Sequence, residues 1–512
     1  MKISFDISFG SRKKKPSAAR AQKRDNKRRA VRRFLSAEAD PYLKKRWTKA
    51  DGSSINALIQ DDLATMRNRC RFEVRNNEWV EGICLGSELD VVGTGPQLQI
   101  QTDDDRLNEH IEQRWRDWQG ICDERGRDHF ADLLALQGVR SLLDSGESFT
   151  VMTNRGDGGD PVQLRLLCVE SDCVFSPFGA EYDSRVKEGI RLDGSGRPLS
   201  YYVAKQHPGD FDAFYDSGMQ QIPAEQMLHV FWTKRANQVR GYPMLQVLLS
   251  SISEMNHYSA AVIQAADLAA SLAGVLETDL PDVDEDATDD YEAFDEIEIE
   301  PGSFMTLPKF VKAQQFKPEQ PTSNYSDYVA AKLKQCGRGV MMPYNVISGD
   351  SSGYNYASGR LDKQIWQRFA RRWQMFLIRR FVGPVFQRWL REALLIPNYI
   401  PRRGSVDLIP HVWIWPGQEH VDPAKEANAQ KIRLENRTTT LAEECAKEGR
   451  DWKDVLRQIA EEKKFMDELG LSAADVAQAT SAADGADVEP DKPDEGDEDA
   501  ADPANQKTDV AQ

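Results

Sequence analysis

Histidine, cysteine, serine and clustered carboxylates are the side chains with which this chain could do covalent or metal chemistry, and their spacing argues against each. The 512 residues include seven histidines (His110, His129, His207, His229, His257, His411 and His420), and no two stand in the H-x-x-x-H spacing that puts imidazoles on one helix face for zinc. Each reads as structural or exposed. Seven cysteines without a C-x-x-C offer neither a zinc ribbon nor an even set of disulfides, and they point to a reducing compartment. No G-x-x-x-x-G-K-[ST] is present to cradle phosphate; Gly93-Thr94-Gly95-Pro96 lacks the third glycine of a dinucleotide turn, and its proline removes an amide. Ser145-Gly146-Glu147-Ser148 misses the G-x-S-x-G spacing of a nucleophile elbow. Scattered aspartates and glutamates are numerous enough for a two-metal nuclease site, but no motif groups them. The expectation is no catalytic residue, no metal, no cofactor and a non-enzymatic role.

Charge is more informative than chemistry. With 40% hydrophobic and 29% charged residues the chain can bury a large core, as one domain or several. Its formal charge of −16 is concentrated in three segments. Ser11 to Arg33 holds twelve Lys/Arg against Asp25, so +11; Glu277 to Glu300 holds thirteen acids and no base, so −13; Asp484 to Gln512 holds eleven acids and two lysines, so −9. The other 436 residues carry only −5. The basic segment, with Lys13, Lys14, Lys15, Lys23, Arg24, Arg28 and Arg29, can attract phosphates but has no interleaved aromatics for stacking on single strands. The C-terminal acidic tail has too little apolar area to fold. The internal acidic run differs, because Ile297-Glu298-Ile299-Glu300 alternates like a strand, Pro301-Gly302 turns, and Ser303 to Leu307 reads as another strand.

The elements around these charges follow from periodicity. Residues 55 to 75 read as a helix, Ser87 to Val92 as a strand, 108 to 119 and 130 to 143 as helices, and 147 to 153, 163 to 169, 199 to 204 and 227 to 232 as strands. Together they predict an α+β domain. Pro243 opens a long helix to about residue 270, Ser323 caps another to Gln335 with Gly337 and Gly339 weakening its end, and Ser358 caps a third that Gly383-Pro384 should kink. Helices are expected at 424 to 436, 440 to 447 and 451 to 469. The most apolar long stretch, Ala260 to Leu276, is broken by Gln264 and Asp267 and falls short of the roughly 20 apolar residues a membrane span needs. Alternation of Ile3, Phe5, Ile7 and Phe9 is not a secretory signal, so a soluble cytosolic protein with no membrane partner is expected.

This order resembles the portal proteins of tailed bacteriophages, in their lambda-like branch. The residues that carry the likeness are RFEVRNNEWVEGICLGSELDVVG (71–93), LLDSGESF (142–149), QMLHVFWTKRANQVRGYP (226–243), the stretch from Asn324 to Arg360, and VDPAKE (421–426) leading to Thr439-Thr440-Leu441. The resemblance implies an α+β portal-like subunit. After a basic arm (1–54) it would have a wing (55–235, completed by 395–420), a stem of two helices (236–270 and 321–340), an acidic clip (271–320), a tunnel-loop region (341–357), a long kinked helix (358–394), a helical crown (421–470) and an acidic tail (471–512). It also implies a homo-oligomeric ring, usually dodecameric, at one capsid vertex of the virion, assembled in the host cytoplasm, through which double-stranded DNA is packaged and ejected. Implied partners are the terminase large subunit, head-completion proteins, and the major capsid and scaffold proteins, with a role in nucleating the procapsid. On this reading Gly349, Asp350, Ser351, Ser352, Gly353, Tyr354, Asn355 and Tyr356 line the DNA channel, and Asp284, Glu285, Asp286, Asp289, Asp290, Glu292 and Asp295 meet the motor and connector. The competing reading is a nuclease-like DNA-processing enzyme whose basic arm holds its substrate.

Overall fold

The computed structural model describes residues 52–156, 161–179, 183–210, 218–271, 275–278, 311–314, 324–401, 409–417 and 423–471. Residues 59–512 form one compact unit, and residues 1–58 form another, of which 52–58 are described. The basic arm, the acidic residues from Asp284 to Asp295, the two strands expected at 297–307 and the acidic tail lie outside the described residues.

Helix α1 (Ile55–Asn76) buries Ile59, Leu63, Arg67 and Cys70, one residue per turn. Helix α2 (Glu78–Val91) follows at once because Asn77 interrupts the chain in an extended conformation and its side chain accepts the amides of Trp79 and Val80. The strand expected at Ser87–Val92 is therefore the end of α2. The β-branched pair Val91-Val92 suggests a strand, but Ile83, Ser87 and Val91 stack at four-residue spacing on the buried face, and the Ser87 hydroxyl donates to the Ile83 carbonyl.

Strand β1 (Gln97–Ile100), which periodicity does not reveal, leads into α3 (Asp105–Gln119), capped by Asp104. Then α4 (Phe130–Ala135) and α5 (Ser141–Asp144) sandwich a π-helical turn, Leu136–Arg140. Strands β2 (Glu147–Asn154) and β3 (Leu164–Val169) pair antiparallel. Strands β4 (Val186–Lys187), β5 (Ile190–Leu192), β6 (Pro198–Ala204) and β7 (Met219–Pro223) form an antiparallel meander, and β8 (Met227–Phe231) returns to the other edge of β2. The two sheets share a small core of Phe149, Val151, Ile190, Tyr201, Val203 and Met227.

A 3-10 turn, Met244–Val247, precedes α6 (Leu249–Ser271), so the long helix begins a few residues after Pro243. Strands β9 (Val275–Thr278) and β10 (Val311–Gln314) pair antiparallel ahead of α7 (Asn324–Val340), which runs through both Gly337 and Gly339. After α8 (Tyr344–Ser348), α9 (Tyr356–Leu377) continues through a second π turn, Ile378–Val382, into α10 (Gly383–Leu395). The deformation expected at Gly383-Pro384 is that π turn: proline lacks the amide for a regular α bond, and wider winding ahead of it accommodates the ring. Strand β11 (His411–Ile414) returns across 311 residues to pair with β1, Gln97 opposite Ile414. Helices α11 (Pro423–Glu435), α12 (Leu441–Lys447) and α13 (Trp452–Leu469) end the described chain. Arg433 binds both Glu426 and Glu444, tying α11 to α12.

The main core is aromatic. Trp115 packs within 6 Å of Trp118, Phe130, Phe386, Trp389 and Trp413, joining α3, α4, α10 and β11. The aromatic stripe of α9 and α10 is thus core, as its helical spacing suggests. Gly138, in the first π turn, lies so close to Leu377 that an added Cβ would be 2.7 Å from its methyl, and the Trp373 indole donates to the Gly138 carbonyl at 2.9 Å. All seven cysteines are buried and unpaired.

Gly146 makes the tightest backbone approach: φ is +88° and a Cβ there would lie 2.0 Å from the Tyr242 carbonyl carbon. Gly146→Ala should destabilise the fold by at least about 3 kcal/mol, through left-handed strain plus a backbone clash. Gly126→Ala, also at positive φ but with nothing within 4 Å, should cost only about 1 kcal/mol, and denaturant midpoints of the two variants compare them directly.

Candidate functional site

Two long helices and a pair of short strands flank, in sequence, the most acidic part of the chain. Helices α6 and α7 run antiparallel against each other: Leu248 meets Gly339, Glu254 pairs with Lys332, Tyr258 packs on Tyr328 at 4.4 Å, and the hydroxyls of Ser259 and Tyr325 lie 3.0 Å apart. The steadily falling partner number fixes the direction. Gly339 is needed at the base, where a Cβ would approach Leu248 to 2.8 Å. Beyond the helices, β9 and β10 pair Val275 with Gln314 and Thr278 with Val311, so residues 279–310 leave and return at one point. The run from Glu277 to Glu300, with thirteen acids, starts on β9 and continues into that excursion.

The polar loop lies between α8 and α9. Gly349 ends α8 in a left-handed conformation (φ +66°), and the Asp350 carboxylate accepts the Ser352 amide at 2.8 Å in an Asx turn. Asn355 caps α9 by accepting the Ser358 amide at 2.8 Å, while the Ser358 hydroxyl lies within 3.2 Å of the Asn355 amide. The helix therefore starts at Tyr356 and not at Ser358; Ser358 completes the capping box from inside. Gly349 through Gly353 are exposed, whereas Tyr354 is half-buried, its phenol pKa raised by burial and by the Asp362 carboxylate it faces. Of the eight residues expected to line a channel, the apex 349–353 is thus free to meet a ligand, while Tyr354 and Asn355 also anchor the loop.

Residue types alone do not flag a further cluster, centred on one carboxylate. Glu147, at the start of β2, has no solvent exposure. Its Oε1 accepts from the guanidiniums of Arg67 and, at 2.7 Å, of Arg240; its Oε2 accepts from the Gly241 amide and His229 Nε2, each at 2.8 Å. Arg240 also donates to the Val174 carbonyl at 2.9 Å, and Arg67 to the Ser145 carbonyl at 2.9 Å. Burial alone would raise the Glu147 pKa, but Arg240, Arg67 and His229 outweigh it and hold the carboxyl well below the ordinary range. Burial pushes the His229 pKa down, so its neutral Nε2–H donates to the carboxylate. Every acceptor position of Glu147 is occupied and water is excluded, so the cluster fastens α1, β2, β8 and the chain entering α6 together. The only sign of it in the sequence is the pair of glycines, Gly146 and Gly241, placed beside charged neighbours.

Among the described residues one grouping of Glu170, Asp172 and His207 brings three metal-type ligands together. Its hydrogen bonds favour a different use. His207 Nδ1 accepts the Gly209 amide at 3.0 Å, leaving the proton on Nε2 toward Glu170, and Arg71 holds Asp172 at 2.6 Å. No described helix is long and apolar enough to cross a membrane.

Mixed helix and sheet with long helices is the fold class expected from the resemblance. Residues 42–374 match the family model for phage portal proteins of the lambda family, and the chain belongs to that family. A probable portal protein of Halomonas phage phiHAP-1 is 26% identical over 450 residues, covering 84% of this chain and 86% of the relative. Portal protein B of Escherichia phage lambda is 20% identical over 462 residues, covering 80% and 85%. Among solved structures, a chain from the neck of an empty GTA particle aligns at 15% identity with a TM-score of 0.41, covering 78% of this chain and 94% of that one.

Removing the Glu147 charge takes the counter-ion from buried Arg240 and leaves buried Arg67 with only Asp172, at 3.9 Å. Glu147→Gln should cost about 3–5 kcal/mol, read from denaturant unfolding. The pH dependence has one sign: a depressed Glu147 and a depressed His229 both stabilise the fold above their unfolded pKa values. Stability should therefore fall as pH drops below about 6.5, where unfolded histidine gains a proton, and again below about 4, where unfolded glutamate does. In His229→Gln the loss near 6.5 should be absent.

Proposed function

We propose that twelve copies of this chain close into a ring at one vertex of a phage capsid, and that double-stranded DNA is packaged and ejected through its centre. In this reading the protein acts by shape and charge and not by covalent chemistry. The observation that carries it is the α6–α7 hairpin, with the β9–β10 ladder and the acidic run between its two helices in sequence, in a member of a portal family.

The hairpin is the stem, and the segment beyond β9 is a clip that docks the terminase large subunit during packaging and head-completion proteins afterwards. Twelve copies of the thirteen-acid run gather on the order of 150 negative charges, which repel duplex DNA and attract basic partner surfaces. The apex Gly349 to Gly353, with Tyr354 behind it, faces the duplex and offers small polar groups that read no sequence. The basic arm binds scaffold, the inner capsid surface or DNA while the procapsid assembles in the host cytoplasm, and α11 to α13 form the crown.

Negative-stain images of the purified protein should show rings with a central channel; monomers that cut duplex DNA with magnesium would instead establish the enzyme reading. Neutralising Asp284, Glu285, Asp286, Asp289 and Asp290 together should weaken motor binding and packaging, and unchanged packaging would remove the clip assignment. Deleting 350–354, which spares the Asn355 cap, should leave rings intact but yield heads that fail to retain DNA. Normally filled heads would refute the channel role of the loop.

A further inference from the structure

The helix that leaves the polar loop carries a charge pattern the stem and clip do not explain. From Lys363 to Arg391 there are eight basic residues and no acidic one. Arg368, Arg371, Arg372 and Arg379 recur at three-, four- and seven-residue spacing on one exposed face of α9 and the π turn, and Arg388 and Arg391 are exposed on α10. Some arginines elsewhere in the chain have carboxylate partners: Arg140 has Glu81 and Glu88, Arg433 has Glu426 and Glu444, and Arg457 has Glu109 and Asp454. None of these six forms an ion pair among the described residues. Arg372 lies over the Trp232 ring at 5.6 Å, and Arg379 donates to the Met375 carbonyl at 3.3 Å.

We propose that this arginine face binds the phosphate backbone of duplex DNA, independently of sequence. The inference rests on the reading that DNA passes this subunit and adds the surface that would hold it. Guanidiniums bind phosphate oxygens with paired donors and are weakly hydrated, so a row of them without acids is a strong polyanion surface. Its length fits: 23 residues separate Arg368 from Arg391, about 35 Å of helix, close to one duplex turn of about 34 Å. Arg368 follows Asn355 by 13 residues, about 20 Å along one continuous helix, so a duplex touching the loop can reach the row. An acidic face on a second copy is the other occupant such a row could take; four nearby acids are already engaged, Asp105 by Lys453, Glu109 by Arg457, and Glu81 and Glu88 by Arg140, and following ring formation beside DNA binding separates the two.

The test uses full-length protein in which Arg368, Arg371, Arg388 and Arg391 are all changed to Gln, leaving Arg372 on Trp232 and Arg379 in place. A labelled duplex of mixed sequence is titrated at several salt concentrations, with ring formation followed by imaging. Binding should weaken at least about 10-fold near 0.1 M salt, and the slope of log affinity against log salt should become shallower by about 0.9 for each phosphate that no longer has an arginine to neutralise it. The matching Arg→Lys variant should keep most of the affinity and the slope. Intact rings with unchanged affinity and slope overturn the proposal, as do disrupted rings with unchanged affinity, which would assign the row to the interface between copies. Wild-type protein that forms no channelled ring would instead count against the portal reading itself, so the two failures are distinguishable.

Discussion

Burying a carboxylate without water is tolerable only if every one of its acceptor positions is filled, and Glu147 meets that condition with groups from separate parts of the chain. Arg67 comes from the first long helix, His229 from the far strand of the sheet, and Arg240 and the Gly241 amide from the segment entering α6. Because the pairing is buried, the elements cannot shift relative to one another without exposing an unpaired ion. The two glycines make the approach possible: a Cβ on Gly241 would lie 2.1 Å from the Gly146 carbonyl oxygen. The root of the α6–α7 hairpin is thereby fixed to the sheet.

The aromatic core solves a related problem by packing. Trp115, Phe386, Trp389 and Trp413 draw together elements almost 300 residues apart, and β1 pairs with β11 at the same place. Where helices must approach more closely than regular winding allows, π turns appear: Gly138 in one of them lies against Leu377, the residue before the other. The long helix that follows the polar loop is consequently held along its inner face, and its arginines are left outside.

Local patterns made much of this legible. The helices α1, α3 and α13 and the strands β2, β3, β6 and β8 follow from spacing. Ser87–Val92 misleads because two adjacent β-branched residues look like a strand when the Asn77 cap upstream is overlooked. Strands β1 and β11 are only four residues each and exist through their pairing, so no local period announces them. At the candidate site, the polar loop stands out by composition, but the anchoring of Tyr354 beside Asp362 does not, because it depends on how the loop folds back on its own helix.

The sequence by itself determined where charge is concentrated, which segments form long helices, and the family likeness, since all three are properties of residue order read over short windows. Only the tertiary structure decided that Glu147 is the meeting point of two arginines and a histidine, and that Val275 and Gln314 close the acidic excursion. It also decided that six exposed arginines of the long helix have no carboxylate to answer them among the described residues. Each of these depends on groups tens to hundreds of residues apart. Their proximity is set by burial and packing, which no local window contains.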